Sequence, residues 1–189
     1  MPKPTIIPPP IREALFECFR ATTRLVRPEL RRQLILKTED VDVAAPPEPL
    51  IEILEAVSAG ALNFIFESDG KIAFDAPQGF RVHLDLIQIG SGCIERIHET
   101  EPFIDGSVAS KSDLLRLRAV TVVDRGSDGE VLDFKWLLSE VARAGKTLPE
   151  LNQEELEVVV GAGECLPLLD RWVLRLPLDR ASQFFLTKL

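Results

Sequence analysis

Cysteine, long apolar runs and basic charge are all scarce in this chain of 189 residues. Its three cysteines, Cys18, Cys93 and Cys165, are far apart, odd in number and never in a CxxC spacing. That argues against a zinc ribbon or a disulfide framework and fits a reducing, intracellular setting, cytoplasmic or otherwise. No run approaches the ~18 apolar residues that a membrane span needs, so no membrane partner is expected. Basic residues number 22 against 30 acidic, a net charge of −8. A broad nucleic-acid-binding surface is therefore not expected, although a small basic groove, or a nucleotide held through a divalent metal, remains compatible. Glycine is missing from the first 59 residues. The opening MPKPTIIPPP holds five of the fourteen prolines and no apolar stretch, so residues 1–10 read as a proline-rich tail and not as a signal peptide.

What is present suits a packed domain: 46% of residues are hydrophobic and 28% charged. IREALFECFRATTRLV carries a helical apolar stripe that Pro28 closes. RRQLIL reads as strand-like and runs straight into KTEDVDVA. After the AAPPEP loop, PLIEILEAVSAG has proline at its opening and Gly60 at its end, both helix signals. ALNFIFES and KIAFDA, joined by Asp69-Gly70, predict a hairpin with a two-residue turn. FRVHLDLIQIG alternates as a long strand should, and SGCIERIHETEPFIDGSVA reads as irregular. Helices are then expected from Ser110 or Ser112 to Gly126, from about 130 to 144, within LPELNQEELEVVVGAG, and near 179–188. The order predicts an α+β protein: a mixed β-sheet with helices on one face (core 11–108), followed by a helical C-terminal region (109–189).

Three acids carry the chemistry. In a strand over 37–46, KTEDVDVAAP, Asp40 and Asp42 point to one side and Val41 and Val43 to the other. Asp85 sits in VHLDLIQI, with enough chain between for it to return beside them in the same sheet. Three carboxylates converging at strand level form an oxygen-rich site for hard divalent cations, typically Mg²⁺. Two such ions can activate a hydroxyl and stabilise a leaving pyrophosphate. Taken alone, Asp40 and Asp42 also suit an acidic edge facing water.

Asp40-Val41-Asp42-Val43 after Lys37-Thr38-Glu39, followed by Val82-His83-Leu84-Asp85-Leu86-Ile87, resembles the acidic motifs of the nucleotidyltransferase superfamily with its polymerase-beta-like fold. The likeness is to the minimal or abortive-infection-toxin branch. Leu114-Leu115, Arg118, Arg125-Gly126, Glu130 and Asp133 stand where relatives carry a Leu-Leu-x-x-Lys helix, an Arg-Gly turn and paired acids. The resemblance spans roughly residues 30–145. It implies that Asp40, Asp42 and Asp85 bind metal and act in catalysis. It also implies that Lys37 and Arg118 contact nucleotide phosphate, and that Glu130 and Asp133 orient helices through Arg125. The implied reaction moves a nucleoside monophosphate from an NTP to a hydroxyl acceptor, with two Mg²⁺ ions. The family's Gly-Gly or Gly-Ser turn ahead of the acidic strand has no counterpart here. A catalytically degenerate protein of the same fold, serving as a binding or interaction module, is the alternative, and an unrelated domain whose acids never converge is a third reading.

Other residues carry two readings each. His83 shares the polar side of its strand with Asp85 and either lines the same cleft or is a half-exposed strand histidine. His98, among Glu95, Glu99 and Glu101, suits a solvated loop better than a metal site. Arg116, Arg118 and Arg125 read first as surface charges of an amphipathic helix and second as an anion-binding patch. Cys93 reads as an inert thiol, and Phe184-Phe185-Leu186 as the apolar closure of a last helix.

Overall fold

The computed structural model describes residues 7–37, 41–90 and 94–167. The chain divides into two compact units, Met1–Ala109 and Ser110–Leu189. Among the described residues the architecture is α+β, built on a mixed sheet of seven strands.

Unit 1 opens with helix α1, Pro9–Arg24. Two prolines lie in its first turn, where their missing N–H groups would have no helical partner, so the helix begins inside the proline-rich segment. A short 3₁₀ turn, Arg31–Gln33, leads to strand β1, Ile35–Leu36, and then to β2, Val41–Ala45. β1 and β2 pair antiparallel, Ile35 with Ala44 and Leu36 with Val43. RRQLIL therefore does not pass straight into the acidic segment as one extended run: the chain reverses between them.

Helix α2, Pro47–Ser58, is followed by β3, Phe64–Phe66, and β4, Ile72–Asp75. The hairpin loop holds three residues instead of the expected two. Glu67 N–H donates to Lys71 O, Gly70 N–H donates to Glu67 O, and Gly70 takes φ +85°. That positive φ is the position such a loop reserves for glycine. The next loop repeats the device with Gly79 at φ +83°, leading into β5, Arg81–Gln88.

The segment read as irregular holds a second hairpin, β6 (Thr100–Phe103) with β7 (Gly106–Ala109). Pro102 and Gly106 depress strand propensity, and Ile104 at its turn takes φ +53°. A proline is tolerated here because β6 is an edge strand. β7 joins the sheet parallel to β1, which gives the order β3-β4-β5-β2-β1-β7-β6.

Alternation decides which face is buried. Val41, Val43 and Ala45 of β2 and Val82 and Leu84 of β5 pack with Ala14, Cys18 and Phe19 of α1 and Leu50, Ile53 and Val57 of α2 in one cluster. Both helices of unit 1 thus serve the same face. Each large side chain fully buried there contributes about 1.5–3 kcal/mol.

Unit 2 consists, among its described residues, of α3 (Lys111–Arg125), α4 (Asp128–Arg143) and α5 (Gln153–Glu164) around Leu115, Phe134, Leu138, Val141 and Val159. Local signals set the boundaries. Ser110 caps α3 by accepting from Asp113 N–H, and Gly126 ends it at φ +60°. Ser127 with Glu130 and Asn152 with Glu155 form capping boxes. No helix of the described residues is long and apolar enough to cross a membrane.

Candidate functional site

The face of the unit 1 sheet opposite the helices carries the candidate chemistry. β2 and β5 run parallel in an unbroken register from Val41 with Leu84 to Ala45 with Gln88, and this pairs Asp42 with Asp85. Parallel pairing needs a long crossover, here α2 with the β3–β4 hairpin. Because Val41, Val43 and Leu84 turn to the core, Asp42 and Asp85 turn away from it together; Asp42 is half-buried and Asp85 exposed.

Adjacent strands lie about 4.8 Å apart, so the two carboxylates can bridge one hard cation. Two unit charges at such a spacing repel by roughly 1 kcal/mol in water, a cost that an exposed sheet face can carry. Asp40 lies outside the described residues, as do Cys93, the helix expected near 179–188 and Phe184-Phe185-Leu186. Among the described residues no three His, Cys, Asp or Glu side chains form a metal-holding group. Lys37 extends the β1–β2 ladder by one pair: its N–H donates to Asp42 O at 3.0 Å, which sets it opposite Asp42.

Two residues before Asp85, His83 shares its face and is exposed. Its Nε2 stands 3.8 Å from Glu67 Oε2. Glu67 also faces Arg81, with Nη1 to Oε1 at 3.6 Å. Arg81 in turn donates from Nε to Asp75 Oδ1 at 2.8 Å and from Nη2 to Oδ2 at 3.1 Å, a two-point contact that holds the Asp75 carboxyl below the usual range. A shallow cavity of about 430 Å³ beside them is lined by Ile65, Glu67, Ser68, Asp69 and Arg81. Glu67 escaped the sequence reading because its contacts with Arg81 and His83 depend on which strand lies beside which. Its one local sign is its place just ahead of the Asp69-Gly70 turn.

Arg118, expected at phosphate, belongs to unit 2, where its Nη2 lies 3.6 Å from Asp133 Oδ2. Arg125 pairs with Glu130 at 3.7 Å. Arg116 is not the surface charge expected: it is 5% exposed, and its Nη1 donates to Glu155 Oε1 at 2.7 Å while Nη2 stands 3.5 Å from Asp113 Oδ1. All three arginines thus face carboxylates, and of the three only Arg116 is buried with its partners. His98 is exposed ahead of β6.

No family model matches this chain, and no curated protein or solved structure does so either.

Proposed function

We propose that unit 1 is a nucleotidyltransferase-type scaffold that takes a nucleoside triphosphate with Mg²⁺ on its Asp42–Asp85 face and transfers a nucleoside monophosphate to a hydroxyl acceptor. The observation that carries this reading is the pairing of Asp42 with Asp85 on adjacent parallel strands, turned away from the core. The donor set fits the ion: magnesium takes oxygen ligands and is held by one or two carboxylates together with substrate phosphates. Asp42 and Asp85, with Asp40 two residues ahead of Asp42 in the sequence, would hold it. Bound there, the ion would neutralise phosphate charge and acidify the acceptor hydroxyl.

The chain's own residues do the rest. Asp42, half-buried beside Lys37, has the less mobile setting and anchors the site. Asp85, exposed and near His83, is the carboxylate open to the acceptor and able to take its proton. Lys37 supplies positive charge to the phosphates.

A second reading, a non-catalytic nucleotide-binding or interaction module on the same scaffold, is favoured by one feature. The reversal between β1 and β2 is made without glycine, which first occurs at position 60. The close backbone approach to phosphate that glycine permits is then lost.

Calorimetric titration of Mg²⁺ with a non-hydrolysable NTP, on wild type, Asp42→Asn and Asp85→Asn, tests the site. Metal-dependent binding that falls at least about tenfold in each variant supports it, a loss equal to the contribution expected of one charge-assisted contact. Pyrophosphate release from a hydrolysable NTP then separates the enzyme from the module. Absence of wild-type binding would sink both nucleotide readings.

A further inference from the structure

The sheet registers place five charged residues at one level. β4 pairs with β5 antiparallel, Ile72 opposite Leu84 and Asp75 opposite Arg81, so Lys71, one residue ahead of β4, comes opposite Asp85. The ladder on its other side continues through the same residue, since Glu67 N–H donates to Lys71 O at 2.8 Å. Asp85 pairs with Asp42, and Asp42 with Lys37. Read across five neighbouring strands, the row is Glu67, Lys71, Asp85, Asp42, Lys37, and because Glu67 faces Arg81 and His83, the part open to a ligand is cation, anion, anion, cation. Residues opposite one another in a ladder share a face, so all five belong to the face away from the helices.

Such a row discriminates by charge. A free phosphate meets two carboxylates at its centre, and a free divalent cation meets an ammonium on either flank. A metal-chelated polyphosphate satisfies the two aspartates and two lysines, with the cation over the aspartates and phosphate oxygens over the lysines, while Glu67 keeps to Arg81 and His83. Lys71 is available for this: its Nζ lies 3.7 Å from Asp69 Oδ2, and both side chains are more than half exposed. An ion pair that long and that wet is worth little and gives way readily to a stronger anion.

Resting on the nucleotide reading above, we infer that Lys71 contacts the polyphosphate of the metal-bound nucleotide, and that the site selects a metal-chelated di- or triphosphate over the metal or the anion alone. The competing account is that Lys37 and Lys71 serve only to neutralise the paired aspartates.

Titration of wild type, Lys71→Gln, Lys71→Arg and Asp42→Asn with Mg²⁺, Mg²⁺ plus inorganic tripolyphosphate, and tripolyphosphate with chelator separates the two. The expected result is tight binding of the mixed complex only. Lys71→Gln weakens it by about tenfold, as loss of one charge-assisted hydrogen bond should, and Lys71→Arg restores most of it. Lys71→Gln leaves the affinity for Mg²⁺ alone unchanged or raised. Complex binding within twofold of wild type in Lys71→Gln, alongside loss in Asp42→Asn, would overturn this inference and leave the nucleotide site standing. Failure of wild type to bind the mixed complex or an NTP would overturn both. Because Lys71 is exposed at the start of its strand, its variants are expected to keep the wild-type circular dichroism spectrum.

Discussion

Replacing Gly106 with alanine tests how closely α1 seats on the sheet. A Cβ added at Gly106 would stand 2.7 Å from Phe19 Cζ, 2.9 Å from Leu34 O and 3.1 Å from Thr23 Cγ2. None of these neighbours can yield easily. Phe19 is fully buried with its ring 5.9 Å from that of Phe103, and Leu34 O already accepts from Ser107 N–H at 2.9 Å. Overpacking of this kind costs about 1–3 kcal/mol, against which removing a glycine's unfolded-state freedom returns about 0.4–1. A net loss of about 1–2 kcal/mol is expected, which for an m-value of about 2 kcal/mol/M lowers the urea midpoint by roughly 0.5–1 M. Both tryptophans, Trp136 and Trp172, belong to unit 2, so unit 1 must be followed by far-ultraviolet circular dichroism and not by tryptophan fluorescence. Trimming the partner sharpens the test: Phe19→Leu deletes Cζ, so the double variant should lose less than the two single losses together. A Gly106→Ala midpoint at or above wild type, or strict additivity with Phe19→Leu, would refute the close approach.

Three further outcomes follow from the same geometry. Arg116→Ala removes the cation that faces Asp113, fully buried, and Glu155, mostly so, and should cost unit 2 about 3–5 kcal/mol by Trp136 fluorescence in urea; a loss under about 1 kcal/mol would show that the buried pairs carry little of its stability. Burial pushes the Cys18 thiol up to about 12, outweighing the Thr22 contact that lowers it. The fold therefore favours the neutral thiol. Its contribution is fully present below about pH 9, the unfolded value, and is lost as pH rises towards about 12; a Cys18→Ala variant should lack that part of the alkaline loss in pH-dependent urea titrations. Asp85→Asn, exposed and flanked in register by one aspartate and one lysine, should shift metal-free stability by less than about 0.5 kcal/mol by thermal melting; a loss above about 2 kcal/mol would mean that Asp85 supports the core.

Elements whose signals are local could be read from the chain alone. The alternation Val82, Leu84 against His83, Asp85 determined β5 and its polar side, and serine and glycine at positions 110 and 126 bounded α3. Both follow from backbone chemistry that needs no partner: side-chain period in a strand, and orphan N–H and carbonyl groups at helix ends. The β6–β7 hairpin was hidden because Pro102 and Gly106 are poor strand formers that only an edge position and a tight helix contact make acceptable. The burial of Arg116 was hidden for a related reason, since its two carboxylate partners come from its own helix and from one 39 residues further along.

For the candidate site the division is similar. The residue types, aspartates among valines and leucines, are a property of the sequence, and so is the absence of glycine before the acidic strand. Which residue stands beside which is a property of the sheet. The pairing of Asp42 with Asp85, and of each with a lysine, depends on the β1–β2 reversal, on a crossover of defined length and on two hairpin loops of three residues each. One residue more or less in either loop would turn the whole strand over and carry its polar side chains into the core. Chain order supplied the charges; only the register of β4, β5, β2 and β1 set them in one row.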